Sequence, residues 1–413
     1  METRPNAAGT LEENNNNSEV FVTINTIDET VFVERLPNPM ALSRGSGDVI
    51  RYGADNLYPN KVKSMAERSQ STQSAINKLA EFTAGLGFKQ KEVNKLEVNS
   101  DGMTLFDILD HATNEKATFR GFALHFNYNN FGEIIEIQEL PFETLRYNND
   151  LTKLIFCPDW SRSGRFGNNK KLEYNTFDPE NVQTEIAEAG GIENYNGQVL
   201  YYIKDRKQIY TLARFDAALD DVQFEHESGV YKLRNVQNGY SAGYILFYPA
   251  QLDGELEKHG LKNDTKQSRG ARNAGKTKHI PLNSSFMDAL GSRKMIEEIP
   301  RTGIDKFFIK QNEETKFNIY SAFNQPPILS GISKDGMFNQ ESFTDAFDYY
   351  NSVTEKDRNE IERVFNKFMS FSIWNTQNLE IEPLKFISKR DVKEEKIEVE
   401  DTKTIKDGEE NNN

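Results

Sequence analysis

The sequence predicts an α+β protein of more than one domain, and three observations carry that expectation. Phe122, Leu124, Phe126 and Tyr128 alternate with small or polar residues, Asn129-Asn130-Phe131-Gly132 supplies a turn, and Glu133 to Leu140 returns, which is the pattern of a β-hairpin. Stretches with apolar residues three and four apart, the period of an amphipathic helix, are set among such strands. A strand-and-loop stretch from Gly229 to Arg301 lies between two helical ones. At 413 residues the chain exceeds one ordinary domain of roughly 100 to 200 residues and fits two or three.

Residues 1–18 are polar and read as a solvated tail, and Glu19–Asn25 and Thr30–Glu34 read as two short strands. A helix follows over Ser71 to Gly85, with Ile76, Leu79, Ala80 and Thr83 on one face and Gly85 as its stop. Thr104 is a good N-cap for a second helix carrying Leu105, Ile108, Leu109 and Ala112, which leads into the hairpin. Asn196-Gly197 marks a turn before a strand over Gln198 to Ile203. From Ala213 a helix places Phe215, Ala218, Leu219 and Val222 on one side and Asp216, Asp220, Asp221 and Glu225 on a solvated acidic face. Past the insert, Thr302 caps a helix running to Phe323, and Pro326-Pro327 and Asp335-Gly336 interrupt the chain. Two amphipathic helices close the pattern, one with Phe343, Ala346, Phe347 and Tyr350, the other with Ile361, Val364, Phe365 and Phe368. Thr354 with Asp357 forms a capping-box variant that opens the second. The charged stretch 389–413 reads as a second solvated tail.

Only 37% of residues are hydrophobic and the mean hydropathy is -0.70, little apolar surface for so long a chain, so burial against partner subunits is the expected remedy. An aromatic share of 11%, with 28 Phe and 16 Tyr, excludes a disordered protein and predicts aromatic-rich cores or interfaces. The net charge of -14 argues against wrapping nucleic acid tightly, which needs clustered Lys and Arg. It is compatible with a wall past which nucleic acid slides, because acids repel phosphates. The single Cys157 reads as strand packing in a reducing interior. The N-terminus lacks the layout of a signal peptide and no apolar run approaches the ~20 residues that span a bilayer, so the expectation is cytoplasmic synthesis or travel within an assembly, with no membrane.

Gly270-Ala-Arg-Asn-Ala-Gly275-Lys276-Thr277 satisfies the G-x-x-x-x-G-K-T phosphate-loop pattern, but that chemistry needs an apolar strand before the loop and a helix N-terminus after it. Leu261 to Arg269 is polar, Lys278-His-Ile-Pro281 is a poor helix start, and no apolar run ending in Asp follows. The segment reads as a Gly-rich turn in a basic loop. Lys258, Lys262, Lys266, Arg269, Arg272, Lys276 and Lys278 make that loop a candidate contact for an acidic partner or a nucleic-acid backbone, or else a solvated face.

The five histidines are scattered with no metal-ligand spacing, and neither a G-x-S-x-G elbow nor a Cys-His pair is present. Asp216, Asp220 and Glu225 could hold a divalent ion, although acids on an exposed helix are usually just hydrated. No catalytic residue, metal or cofactor is therefore predicted. Two readings of other classes stay open: a phosphate-loop ATPase using Gly270 to Thr277, and an aromatic-rich cytoplasmic binding module.

The order of several segments resembles the portal proteins of tailed bacteriophages. Gly121 to Gly132, followed by Glu133 to Arg146, is similar to that family's hairpin with its L-P-x-x-x-x-R ending. Asn238-Gly-Tyr-Ser-Ala-Gly-Tyr-Ile-Leu246 is similar to its N-G-x-x-x-G-apolar stretch, and Gly270-Ala-Arg-Asn-Ala-Gly-Lys276 to its G-x-x-N-A-G-K stretch. Phe323-Asn-Gln-Pro-Pro-Ile-Leu-Ser-Gly331 resembles F-x-x-P-P-x-L-x-G, and Asn339-Gln-Glu341 matches an N-x-E that opens the next helix. The likeness covers about residues 50 to 375; Tyr52 to Pro59 and the short C-terminal region depart from the family's pattern.

The resemblance implies a phage-portal-like α+β fold: a wing over 19–205, stem helices over 206–227 and 302–323, an α/β clip inserted over 228–301, a tunnel-loop region over 324–338, and wing-return and minimal crown helices over 339–388. It implies a virion subunit at one capsid vertex, assembled in the host cytoplasm, that packages and ejects double-stranded DNA through its channel. The implied partners are further copies in a closed ring, usually a dodecamer, with the major capsid protein, the terminase large subunit and a head-tail adaptor. Asp216, Asp220, Asp221, Glu313 and Glu314 are then the candidates for channel-lining charge. The basic loop becomes the candidate docking segment of the clip, and Asn324, Gln325, Pro326, Pro327 and Lys334 fall in the tunnel-loop region.

Overall fold

A computed structural model describes residues 49–162, 171–204, 209–237, 244–249, 278–282, 296–298, 304–331 and 340–386. The two N-terminal strands expected from the sequence, both tails, the cap at Thr302 and the basic loop from Lys258 to Lys276 lie outside these residues.

The hairpin forms as its alternation predicts. β1 (Gly121–Tyr128) pairs antiparallel with β2 (Ile134–Leu140), and the Asn129 side-chain oxygen accepts from the backbone N–H groups of Phe131 and Glu133 at 2.9 and 3.0 Å. β3 (Leu145–Tyr147), β4 (Lys153–Phe156), β5 (Leu172–Thr176) and β6 (Gln198–Ile203) complete a mixed six-stranded sheet in the order β2-β1-β6-β5-β4-β3. The turn before β6 requires glycine: Gly197 has φ +77°, and a Cβ there would meet the carbonyl oxygen of Phe126 at 2.1 Å. Cys157 follows β4, is buried with Ile155 and Trp160, and carries no disulfide, in keeping with a packing role.

Helices α1 (Tyr58–Arg68), α2 (Gln70–Ala84), the single turn α3 (Lys91–Asn94) and α4 (Leu105–Phe119) precede the hairpin. Thr104 and Asp107 form a reciprocal capping box at the start of α4, and Gly85, with φ +58°, ends α2 as expected. α5 (Val182–Glu188) follows β5, α6 (Leu219–Gln237) leads to a small sheet of β7 (Tyr244–Pro249), β8 (Lys278–Leu282) and β9 (Ile296–Glu298), and α7 (Ile304–Ala322) and α8 (Gln340–Met369) follow it. The main core joins the buried faces of α4, β1, β2 and the C-terminal half of α8, with Phe88, Leu109, Phe122, Phe126, Phe365 and Phe368 among its members.

Two expectations are corrected. The pair of closing helices is one 30-residue helix, α8, and Thr354 with Asp357 caps nothing. Thr354 is buried in mid-helix and its hydroxyl donates to the Tyr350 carbonyl at 3.0 Å, while Asp357 is spent on an ionic cluster; no Gly or Pro breaks the run. The helix expected from Ala213 begins instead at Leu219, after a 3-10 turn over Asp216–Ala218. Tertiary partners claim the backbone there: the Ala213 N–H donates to Tyr58 Oη at 3.0 Å and the Arg214 N–H to the Thr118 carbonyl at 3.0 Å. α6 then runs past Glu227 through Gly229, a position read as loop, because its far half packs on α7, where Ser228 Oγ donates to Asn312 Oδ1 at 3.0 Å. Gly in a helix costs only about 1 kcal/mol against Ala, which such packing outweighs.

Strands β3 to β5 carry no clear period, and tertiary contacts hold them in place. Arg146 of β3 is fully buried without a carboxylate beside it: its guanidinium donates to Asn56 Oδ1 at 2.7 Å and to the carbonyls of Asn56, Glu143 and Leu145, and lies over the rings of Tyr52 and Trp160. Tyr52 stacks on Tyr58 and Tyr210, so aromatic faces knit the start of α1 to β3 and to the segment leading into α6.

Candidate functional site: the paired helices and the turn that follows them

α6 and α7 flank the inserted small sheet in sequence and pack against one another. Polar side chains fix their register: Asn318 Nδ2 of α7 donates to both carboxylate oxygens of Asp221 at 3.2 and 3.3 Å, and Phe215 stacks on Phe323 with ring centroids 5.9 Å apart. The pair is bolted to the elbow between α1 and α2, where Glu225 of α6 accepts from the hydroxyls of Ser69 and Ser71 and from the Ser71 N–H at 3.2 Å.

The five acids nominated from the sequence divide. Asp220, Glu313 and Glu314 are exposed, and Glu314 has Lys310 at 3.7 Å. Asp216 accepts from Tyr58 Oη at 2.7 Å and Asp221 from Asn318, so both are part of the scaffold that holds the helices together. Leu233 and Val236 of α6 and Phe317 of α7 are more than half exposed, leaving apolar side chains on the same two helices that carry the free acids.

After α7 the chain turns sharply. Asn324 is exposed with φ +51°, a conformation Asn tolerates, and the Gln325 N–H donates to the Tyr320 carbonyl at 3.0 Å. Gln325 is buried and its amide donates to Ser330 Oγ at 2.5 Å, while Pro326 precedes a 3-10 turn over Pro327–Ser330 that packs on α8. Lys334 lies outside the described residues. Of the seven basic residues, Lys278 opens β8, where it pairs with Ile245 of β7; the other six lie outside the described residues.

An ionic cluster that the sequence reading missed is centred on Asp357. Asp357 of α8 meets Arg214 at 2.6 Å, Lys204 at 2.8 Å and Lys116 at 3.2 Å, and Lys116 also meets Glu360 at 2.9 Å. The Lys116 side chain is only 2% exposed, and burial lowers its pKa despite the two carboxylates. Burial alone would raise the Asp357 carboxyl, but Lys116, Arg214 and Lys204 outweigh it and hold it well below the usual range. The available signal was Lys116 itself, a cation on the apolar stripe of Leu109, Ala112 and Phe119, which demands buried partners.

Among the described residues no group of three or more His, Cys, Asp or Glu could hold a metal ion, and no helix is long and apolar enough to cross a membrane.

No family model and no curated protein matches the chain. Solved structures do. A chain from the virion of a native gene transfer agent particle superposes with a TM-score of 0.53 at 13% identity, covering 87% of this chain and 92% of that one. It shares this fold. Chains from the neck of an empty particle, computed with C6 symmetry, and from the neck of a native particle, computed with C12 symmetry, give TM-scores of 0.51 and 0.50 at 13% and 14% identity. They cover 83% and 84% of this chain and 88% and 87% of their own. At these identities the likeness is one of fold, and it extends over nearly the whole of each chain.

Proposed function

We infer that the chain is a virion structural subunit, the portal-like ring protein of a phage-like particle, and that it conducts double-stranded DNA. The observation that carries this reading is the near full-length fold match to virion and neck chains of gene transfer agent particles, joined to a packed helix pair flanking an insert. On this reading α6 and α7 are the stem, the insert between them is the clip, and the turn over Asn324–Ser330 leads into the tunnel loop.

The physical logic is that of a conduit. Exposed Asp220, Glu313 and Glu314 repel phosphates, so DNA in the channel is not trapped by its wall. Exposed Leu233, Val236 and Phe317 are covered by neighbouring subunits in a closed heterologous ring, which offsets the low apolar content of the chain. The basic segment Lys258 to Lys278 docks the packaging motor, the terminase large subunit, and later the head-tail adaptor, while the sheet domain meets the major capsid protein. A ring of twelve copies is the expected stoichiometry.

Negative-stain electron microscopy of the purified protein tests the reading. Rings with a central hole are expected, and a monomer or dimer at all concentrations would sink it.

A further inference from the structure

The six-stranded sheet is incomplete at one place. β5 pairs with β6 only at Gln198 and Val199, so the edge of β6 from Leu200 to Ile203 continues without a strand beside it among the described residues. The Lys204 N–H donates to the Arg120 carbonyl and the Phe177 N–H to the Val199 carbonyl, so alternation turns the backbone groups of Tyr201 and Ile203 away from β1 and toward this open side. A groove of about 870 Å³ runs there, walled by Tyr147, Leu151, Phe177 and Ile209 and by Val364 of α8. Among the described residues its charged lining side chains are Arg363 and Lys367, both cations, both exposed, and one turn apart on α8. Lys367 sits over the Phe177 ring at 5.6 Å, which holds its charge at the rim.

Elsewhere the same chain offers the complement. Phe131, at the tip of the β1–β2 hairpin, is 78% exposed, the most exposed large apolar side chain among the described residues. It is held there rather than left loose: Asn129 Oδ1 ties its N–H, Gln183 Nε2 donates to its carbonyl at 3.0 Å, and Gly132 takes φ +80° to close the turn. The lobe around it is acidic. Glu133, Glu180 and Glu188 are exposed, and neither Gly121 to Leu145 nor Asp178 to Gly197 contains a Lys or Arg.

We propose that the Phe131 hairpin tip of one copy seats in the β6 groove of the next, its ring against the apolar wall and its acidic lobe against Arg363 and Lys367. The contact joins two different surfaces of the same chain, so it is heterologous and suits a ring. A knob already fixed in its exposed position loses little freedom on docking. This inference rests on the ring reading above and adds the surface by which neighbours recognise one another.

Site-specific disulfide trapping in the full chain tests it, with Asn130→Cys and Leu151→Cys introduced together and Cys157 replaced by Ser. Native oxidation is expected to give a ladder of linked copies that is lost on adding Phe131→Ser. Independently, Arg363→Glu with Lys367→Glu should lower the fraction assembled at a fixed concentration by about tenfold or more, as loss of an interface anchor does, and Glu133→Lys in the same chain should restore part of it. Asn130, Phe131, Glu133, Leu151, Arg363 and Lys367 are at the surface, and the buried Cys157 changes only from thiol to hydroxyl, so circular dichroism should show unchanged folding. Wild-type rings together with rings from the Phe131→Ser and Arg363→Glu/Lys367→Glu variants in normal yield, and no ladder, would overturn the docking and leave the ring reading standing. A wild-type protein that never assembles would remove both.

Discussion

Arg214 Nη2 lies 2.6 Å from Asp357 Oδ2, which ties the turn leading into α6 to the middle of α8 across 143 residues of chain. Lys116 of α4 and Lys204 at the end of β6 meet the same carboxylate, so one acid joins the sheet domain, the C-terminal helix and the root of the helix pair.

Removing that acid should be costly. Asp357→Ala leaves Lys116 buried with Glu360 as its ionic partner and the carbonyl of residue 357 as an acceptor, and breaking a buried ionic network in this way loses about 3–5 kcal/mol, to be read as a lowered midpoint in urea denaturation. The pH dependence follows from the depressed carboxyl: its contribution is present in full above the ordinary carboxylate pKa and is lost as pH falls below that value toward the folded one. Asp357→Asn should therefore flatten the acid limb of the stability curve.

A second titration runs in the opposite sense. Burial pushes His111 down, but Glu115 at 3.5 Å and Glu139 at 3.1 Å outweigh it and raise its pKa above 6.5. The imidazolium's contribution is complete below pH 6.5 and is lost as pH rises through the folded value. Melting temperature should fall between pH 6 and pH 8.5, and His111→Gln should remove that slope. Desolvation raises the pKa of the half-buried Glu115 carboxyl beside it.

The exposed acids of the helix pair should matter for DNA and not for folding. Asp220→Asn with Glu313→Gln and Glu314→Gln is expected to change stability by no more than about 0.5 kcal/mol. Assembled variant should nevertheless retain duplex DNA more strongly than wild type at low salt, with a steeper salt dependence, in a filter-retention titration. Equal retention would place these acids away from the channel.

The phosphate-loop letters give a prediction by calorimetry. Wild-type protein should show no saturable ATP binding, and Lys276→Ala should be indistinguishable from it. Binding that the substitution abolishes would restore the ATPase reading.

Periodicity and cap chemistry are local, and where they rule the sequence was sufficient. The β1–β2 hairpin and the Thr104 start of α4 rest on contacts within a few residues, so their letters foretell them, and the glycines at 85 and 197 are legible as turns although each also lies against a carbonyl remote in sequence. The order of motifs resembles that of phage portal proteins, and the fold match to a gene transfer agent particle chain covers 87% of this chain. Strands β3 to β5, the late start of α6 and the unity of α8 were decided otherwise. Arg146 finds its acceptors in the Asn56 loop, Ala213 spends its N–H on Tyr58, and of the two residues that read as a cap, Thr354 bonds back within its own helix while Asp357 is diverted to partners remote in sequence. Of the nominated acids, Asp216 and Asp221 look like Asp220 along the chain; only packing made two of them scaffold and left the third to solvent. A buried hydrogen bond or ion pair is set by which segments the fold brings together, and composition at one position carries no record of its partner.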